Sequence, residues 1–227
     1  MELCGRWRHE LKFEISHGDY LALRQRLRMV MPPDVHASPE GTYWIRSIYF
    51  DNVDDKALWE KLEGVQSREK YRIRWYNDDL STLSLEKKRK HNSLCSKSQA
   101  PLTEAECQAL LAGDIRWMPE HPEALVRELY CSIQQQQLFP RVTVSYLREP
   151  YVYGPGNVRI TFDSDIRTSL FCRDLLHPRD IPVLSPERRI LEVKYDAFLP
   201  GNIQCLLQGD WIRQQAFSKY AACRRFG

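Results

Sequence analysis

Strand-length segments spread along this chain alternate charged with apolar side chains, which constrains its fold more than any other feature. Side chains two residues apart on a strand share a face. Over 7–15, Arg8, Glu10 and Lys12 share one face, and Trp7, Leu11 and Phe13 the other. Over 69–77, Arg72 and Arg74 oppose Ile73 and Trp75. Over 82–90, Glu86, Lys88 and Lys90 share a face; Leu83 and Leu85 share the other with Lys87 and Arg89. Over 140–153, Tyr146 and Arg148 fall together. Over 157–165, Arg159, Thr161 and Asp163 oppose Ile160 and Phe162, and over 189–196, Glu192 and Lys194 oppose Leu191, Val193 and Tyr195.

One charged strand face is ordinary in an antiparallel sheet with a wet side. Here nearly every strand is basic on that face, and Glu10, Glu86, Asp163 and Glu192 stand among the bases. Helices are also expected over 19–31 (N-cap Asp19), 52–63 (ended by Gly64), 103–112 (capping box Thr103 and Glu106), 121–137 and 214–225. A further strand is expected over 43–50, a turn at Asn77-Asp78-Asp79, a hairpin at Gly154-Pro155-Gly156 and a loop over 172–188. If the helices cover the apolar faces, the charged faces must point at one another, and a closed antiparallel barrel lined by arginine and lysine results. Such a lining repels itself unless anions enter. Arginine forks suit phosphate oxygens, and a few carboxylates suit a hard divalent cation.

The remaining features narrow the class. The 227 residues, 43% hydrophobic and 28% charged, suit a single globular domain over 1–227. The segment from Met1 to Glu10 has no apolar signal region and no run approaches membrane-span length, so a cytoplasmic protein is expected. Cys4, Cys95, Cys107, Cys131, Cys172, Cys205 and Cys223 form no C-x-x-C pair, which argues against a disulfide framework or zinc site. His9, His17, His36, His91, His121 and His177 are scattered, with none poised as a base. The aromatics Trp44, Trp59, Trp75 and Tyr76 lie near bases, as in single-strand binders. Packing beneath helices explains most of them better, and no nucleic acid is expected.

The segments RHELKF (8–13), SIYFD (47–51), KYRIRWY (70–76), LEKKRK (85–90), RVTVSYLREPY (141–151), VRITFDSDIR (158–167), LEVKYD (191–196) and FSKY (217–220) occur in this order. In this the chain resembles the VTC domain, the polyphosphate polymerase domain of the triphosphate tunnel metalloenzyme superfamily. The resemblance implies an eight-stranded tunnel covered by helices, which takes ATP and triphosphate or polyphosphate with Mn²⁺ or Mg²⁺. It implies phosphate-lining roles for Lys12, Arg72, Arg74, Lys88, Arg148, Arg159 and Lys219, further contacts from Tyr146, Ser218 and Lys97, and a metal-binding role for Glu192. Strand parity adds Lys90 and Lys194 to the phosphate contacts, and Glu10 and Glu86 to the metal ligands. Family members of this type act beside membrane subunits, so a membrane-protein partner is compatible with it. Hydrolytic relatives open with an E-x-E-x-K strand. Here Arg8 replaces the first glutamate, which tilts the expectation from hydrolysis toward phosphoryl transfer to polyphosphate. A triphosphate hydrolase and a non-catalytic polyphosphate-binding module remain the alternatives. Oligomeric state is not legible.

Overall fold

Alternation does produce strands that close on themselves. The computed structural model describes residues 7–169, 175, 180–209 and 217–226. Its strands are β1 (Arg8–Ser16), β2 (Tyr43–Asp51), β3 (Ser67–Tyr76), β4 (Asp79–His91), β5 (Leu94–Pro101), β6 (Phe139–Tyr153), β7 (Val158–Ser169), β8 (Ile181–Pro182) and β9 (Arg188–Tyr195). The sheet runs β6-β2-β3-β4-β5-β1-β9-β7-β8, and β6 also pairs with β7. Eight strands therefore form a closed antiparallel barrel, with the two-residue β8 appended to β7. The helices are α1 (His17–Arg28), α2 (Lys56–Leu62), α3 (Glu104–Leu111), α4 (Ala124–Gln136), α5 (Gly201–Leu206) and α6 (Lys219–Cys223). Among the described residues no helix is long and apolar enough to cross a membrane.

The apolar faces point outward onto helices. Ile73, Trp75 and Leu85 are buried with Cys107 and Leu110 of α3 and with Leu125, Val126 and Leu129 of α4. Phe13, Ile15, Phe162, Leu191 and Val193 pack with Leu23 and Leu27 of α1. Each such side chain, fully buried, contributes roughly 1.5–3 kcal/mol. The charged residues on the outer face of β4 are matched rather than exposed. Lys87 sits 2.6 Å from Glu69 and 2.7 Å from Glu128 of α4, and Arg89 3.0 Å from Glu128.

Local chemistry sets the boundaries. Ser16, not Asp19, caps α1; Asp19 is the reciprocal partner in a capping box. The expected helix over 52–63 starts only at Lys56, where the Asp51 carboxylate accepts from the amides of Ala57 and Leu58. Asn77 and Asp78 both have positive φ, as a two-residue turn between β3 and β4 demands. At the β6–β7 hairpin Gly156 has φ +71°, and a Cβ there would lie 2.7 Å from the Phe198 carbonyl oxygen. Three elements were not expected. LCSKSQAP lacks alternation, yet it forms β5 because β4 offers it a full edge to pair with. α5 is a short helix after Pro200. The expected loop over 172–188 contains β8. Cys4, Cys172, His177 and residues 214–216 of the expected last helix lie outside the described residues.

The lumen is not charged throughout. Ile45, Val142, Val144, Ile166 and Ile190 cluster with Tyr220 and Cys223 of α6. The last helix thus packs into the barrel on an apolar cushion and carries Ser218, Lys219 and Tyr220 to the charged part.

Candidate functional site

Parity places Arg68, Lys70, Arg72 and Arg74 on the inner face of β3, and Glu86, Lys88 and Lys90 on that of β4. Glu10 and Lys12 of β1, Tyr146 and Arg148 of β6, and Glu192 and Lys194 of β9 complete the wall. Apart from Glu86, these residues line one cavity of about 560 Å³, together with Tyr49, Lys61, Ser218, Lys219 and Tyr220. Among the described residues its lining holds eleven lysines and arginines against two glutamates.

Buried carboxylates hold the inner bases in place. Glu86, 1% exposed, lies 2.5 Å from Arg72, 3.2 Å from Lys97 and 3.8 Å from Arg74. Asp163, fully buried, takes both arms of Arg148 at 2.6 and 2.7 Å and Lys219 at 2.5 Å. Glu192 meets Lys219 at 2.7 Å, Arg148 and Lys194 at 3.2 Å, and Lys12 at 3.4 Å. Glu10 meets Lys88 at 2.6 Å and Lys12 at 3.0 Å. The remaining donors aim inward: Arg74 donates to Ser47 and Tyr146, and Arg72 to Tyr49.

The electrostatics follow. Burial alone would raise Glu192, but Lys12, Lys219, Lys194 and Arg148 hold it well below the usual carboxylate range. Burial would likewise raise Glu86, and Arg72 and Arg74 pull it down. Burial opposes the charge of Lys12, which Glu10 and Glu192 restore and raise above the usual lysine value. Lys70 goes the other way. Burial lowers it to about 7, Asp51 only partly offsets this, and Arg68, Lys61 and Lys88 lower it further. Its ammonium lies over the Tyr220 ring, 4.2 Å from the centroid. Burial also lowers Lys194, to about 8, despite Glu192 and Glu10. A folded-state lysine value below the unfolded one means that charge on Lys70 opposes folding below about pH 7. The penalty is relieved as pH rises toward the unfolded value.

Of the expected residues, the structure gathers Lys12, Arg72, Arg74, Lys88, Lys90, Arg148, Lys194, Lys219, Tyr146, Ser218, Glu10 and Glu192 around one space. Three expected residues stand off its lining. Arg159 turns to Asp34 at 2.6 Å and to the Tyr43 hydroxyl at 2.7 Å. Lys97 is bound by Glu86 and Gln99. Glu86 lies beneath Arg72, with its oxygens engaged by Arg72 and Lys97 as their counter-ion. Arg8, in place of the first glutamate of the hydrolytic pattern, is tied to Asp196 and to the Asn157 carbonyl. Tyr49, Lys61, Arg68, Lys70 and Tyr220 were missed. Arg68 and Lys70 share parity with Arg72, so carrying the alternation two steps back would have found them; Lys61 sits on α2 and left no such signal. Trp75 is buried under α3 and α4, while Trp59 is exposed.

Among the described residues no cluster of three or more histidines, cysteines or carboxylates can hold a metal. Glu10 and Glu192 face each other across Lys12, and the fully buried Thr161, register partner of Glu192, has a hydroxyl without a hydrogen-bond partner. This hard-oxygen set fits a divalent cation that shares its coordination with phosphates. Phosphates would draw off the amines that now cover Glu192.

A family model described as the VTC domain matches residues 7–226. No curated protein matches the sequence. Among solved structures, a Hippeastrum adenylyl cyclase candidate, described as having a dominant triphosphatase activity, superposes with a TM-score of 0.56 at 13% identity, covering 96% of both chains. An adenylate cyclase candidate from Bacillus halodurans gives 0.49 at 16% identity over 83% of this chain and 80% of its own. A Pyrococcus horikoshii protein gives 0.49 at 10% identity over 96% of this chain and 100% of its own.

Proposed function

This chain belongs to the VTC domain family, and from that premise we propose that it is a polyphosphate polymerase-type phosphotransferase. It would move the γ-phosphoryl group of ATP onto a polyphosphate chain held inside the barrel. The observation that carries this reading is the cavity lining, eleven bases to two acids among the described residues, an excess of positive charge that a string of linked phosphates would neutralise.

Phosphoryl transfer asks for in-line positioning and for charge placed where the transition state needs it, not for a protein nucleophile. Arg72, Arg74 and Arg148 are already oriented by Glu86, Asp163 and neighbouring hydroxyls, so little reorganisation accompanies binding. Lys12, Lys88 and Lys219, held by Glu10, Asp163 and Glu192, would add positive charge around the transferred group. Glu192 and Glu10 would hold Mn²⁺ or Mg²⁺, which supplies charge neutralisation at phosphate oxygens when bound. Among the described residues no histidine lines the cavity, in keeping with chemistry that needs no side-chain base.

Hydrolysis of triphosphate is the second reading, and the Hippeastrum protein's described activity motivates it. Arg8 weighs against it, since its side chain adds a positive charge bound to Asp196 where a carboxylate could have helped to position water. One assay separates the readings. Purified protein incubated with ATP and Mn²⁺ is expected to form acid-insoluble phosphate. Free phosphate instead would mark a hydrolase, and binding without either product would mark a binding module.

A further inference from the structure

The five residues of α6 make little more than one helical turn, too few to stay helical and in place unaided. Yet this turn presents Lys219 to Asp163 at 2.5 Å and to Glu192 at 2.7 Å. That is the deep end of the cavity, where Arg74 and Glu192 are 6% and 4% exposed. Residues four apart on a helix share a face. Lys219 and Cys223 share the face turned to β7 and β9, with the Cys223 sulfur 3.8 Å from the Arg167 carbonyl oxygen. Tyr220 and Arg224 share another, and it is turned to the start of α2.

Two buried bridges are made there. The Tyr220 hydroxyl donates to Asp51, the last residue of β2, which is fully buried. The same carboxylate accepts from the amides of Asn52, Ala57 and Leu58 at 3.0, 2.9 and 3.2 Å, so it joins α6 to the first turn of α2. Burial and the nearby Asp51 both push the Tyr220 phenol up, which keeps it a donor. In the second bridge Arg224, 7% exposed, meets Asp55 at 2.5 Å. Asp55 is the N-cap residue of α2 and is held from its other side by Arg141 of β6 at 3.2 Å. Asp51, Asp55 and Arg224 do not line the cavity.

We propose that Asp51–Tyr220 and Asp55–Arg224 form a two-point latch that sets the angle of α6 and thereby positions Lys219 for the ligand. The proposal rests on the reading of the deep end as the triphosphate site. Asp51, Asp55 and Arg224 are then positioning residues, which act through Lys219 without touching substrate. With a single bridge the short helix could still pivot about it. With two, one near each end of the turn, its rotation is fixed, and Lys219 meets Asp163 and Glu192 together.

The test is a double-mutant cycle read by isothermal titration calorimetry with inorganic triphosphate. Tyr220→Phe keeps the ring and removes only the hydroxyl, and Arg224→Gln leaves Asp55 with Arg141. Together they are expected to weaken binding roughly tenfold, and Lys219→Met alone by a similar factor, as for loss of one charge-assisted contact. Made in the Lys219→Met protein, the same pair is expected to change affinity by less than about twofold. Tyr220→Phe alone gives the same comparison if the pair does not fold. A merely structural role would lower the melting temperature and leave affinity unchanged well below it, or weaken binding equally in both backgrounds; either result would overturn the latch. A crystal structure of the ligand-free double variant judges it without any ligand. Lys219 is expected to part from Asp163 or from Glu192, and an unmoved Lys219 would overturn the latch. Failure of the wild type to bind triphosphate would instead overturn the reading of the deep end, and the crystal structure would still decide the latch.

Discussion

The triple variant Arg72→Ala, Arg74→Ala, Glu86→Gln will lose triphosphate binding while the barrel stays folded. Both guanidiniums reach into the cavity, steered by Glu86, Ser47, Tyr49 and Tyr146. Each charge-assisted contact to a phosphate contributes about 1.5–3 kcal/mol. Removing two arginines then weakens binding by a factor of roughly 10²–10⁴. The glutamine is essential to the design. With the arginines gone, the Glu86 carboxylate would stay buried with Lys97 alone, and breaking a buried pair in that way costs about 3–5 kcal/mol. Neutralising Glu86 removes this penalty, so circular dichroism should report a native melt while calorimetry reports no binding. Unchanged affinity in a folded triple variant would mean that these arginines do not meet the ligand.

Glu192→Gln has the second-largest expected effect, and it is twofold. Metal-dependent turnover should disappear, since the deep end loses its central hard-oxygen donor. Stability should also fall, by about 3–5 kcal/mol, because Lys12, Arg148, Lys194 and Lys219 all lean on this one carboxylate. The family resemblance implied only a metal-binding role for Glu192; in the structure it is a hub of four bases as well. The two roles can be separated. Polyphosphate should restore much of the lost thermal stability by supplying the missing negative charge, yet should not restore turnover. A Glu192→Gln variant with full activity would remove the residue from the metal site, and one with unaltered melting would remove it from the hub.

The same parity that made the barrel legible also set the limits of what could be read. Period-two alternation identified β1, β3, β4, β7 and β9, because their outer faces must be apolar to meet helices. It found most of the bases around the cavity for the same reason. It could not find β5, whose sequence has no hydrophobic period and whose strand state comes from its neighbour. It could not tell which inward residues reach the shared space. Arg159 has the right parity but is claimed by Asp34, a residue from the segment that follows α1 and sits far away in sequence. Glu86 has the right parity too, yet two bases close over it. Nor could alternation show that the lumen is half apolar. Ile45, Val142, Val144 and Ile190 point inward because α6 returns to fill that volume, and such a contact is set by tertiary packing rather than by local pattern. The N-cap of α1 was misplaced by three residues because Ser16 and Asp19 cap reciprocally, and either reads as a cap in isolation.

The central claim is that bases from separate strands converge on one enclosed space occupied by linked phosphates. A crystal structure with a non-hydrolysable ATP analogue and Mn²⁺ tests it most directly. The claim predicts a triphosphate lying inside the barrel between Arg72 and Arg74 on one wall and Lys12, Arg148 and Lys219 on the other, with the metal on Glu192. A triphosphate seated on the outer surface, with the barrel interior filled only by water, would contradict it.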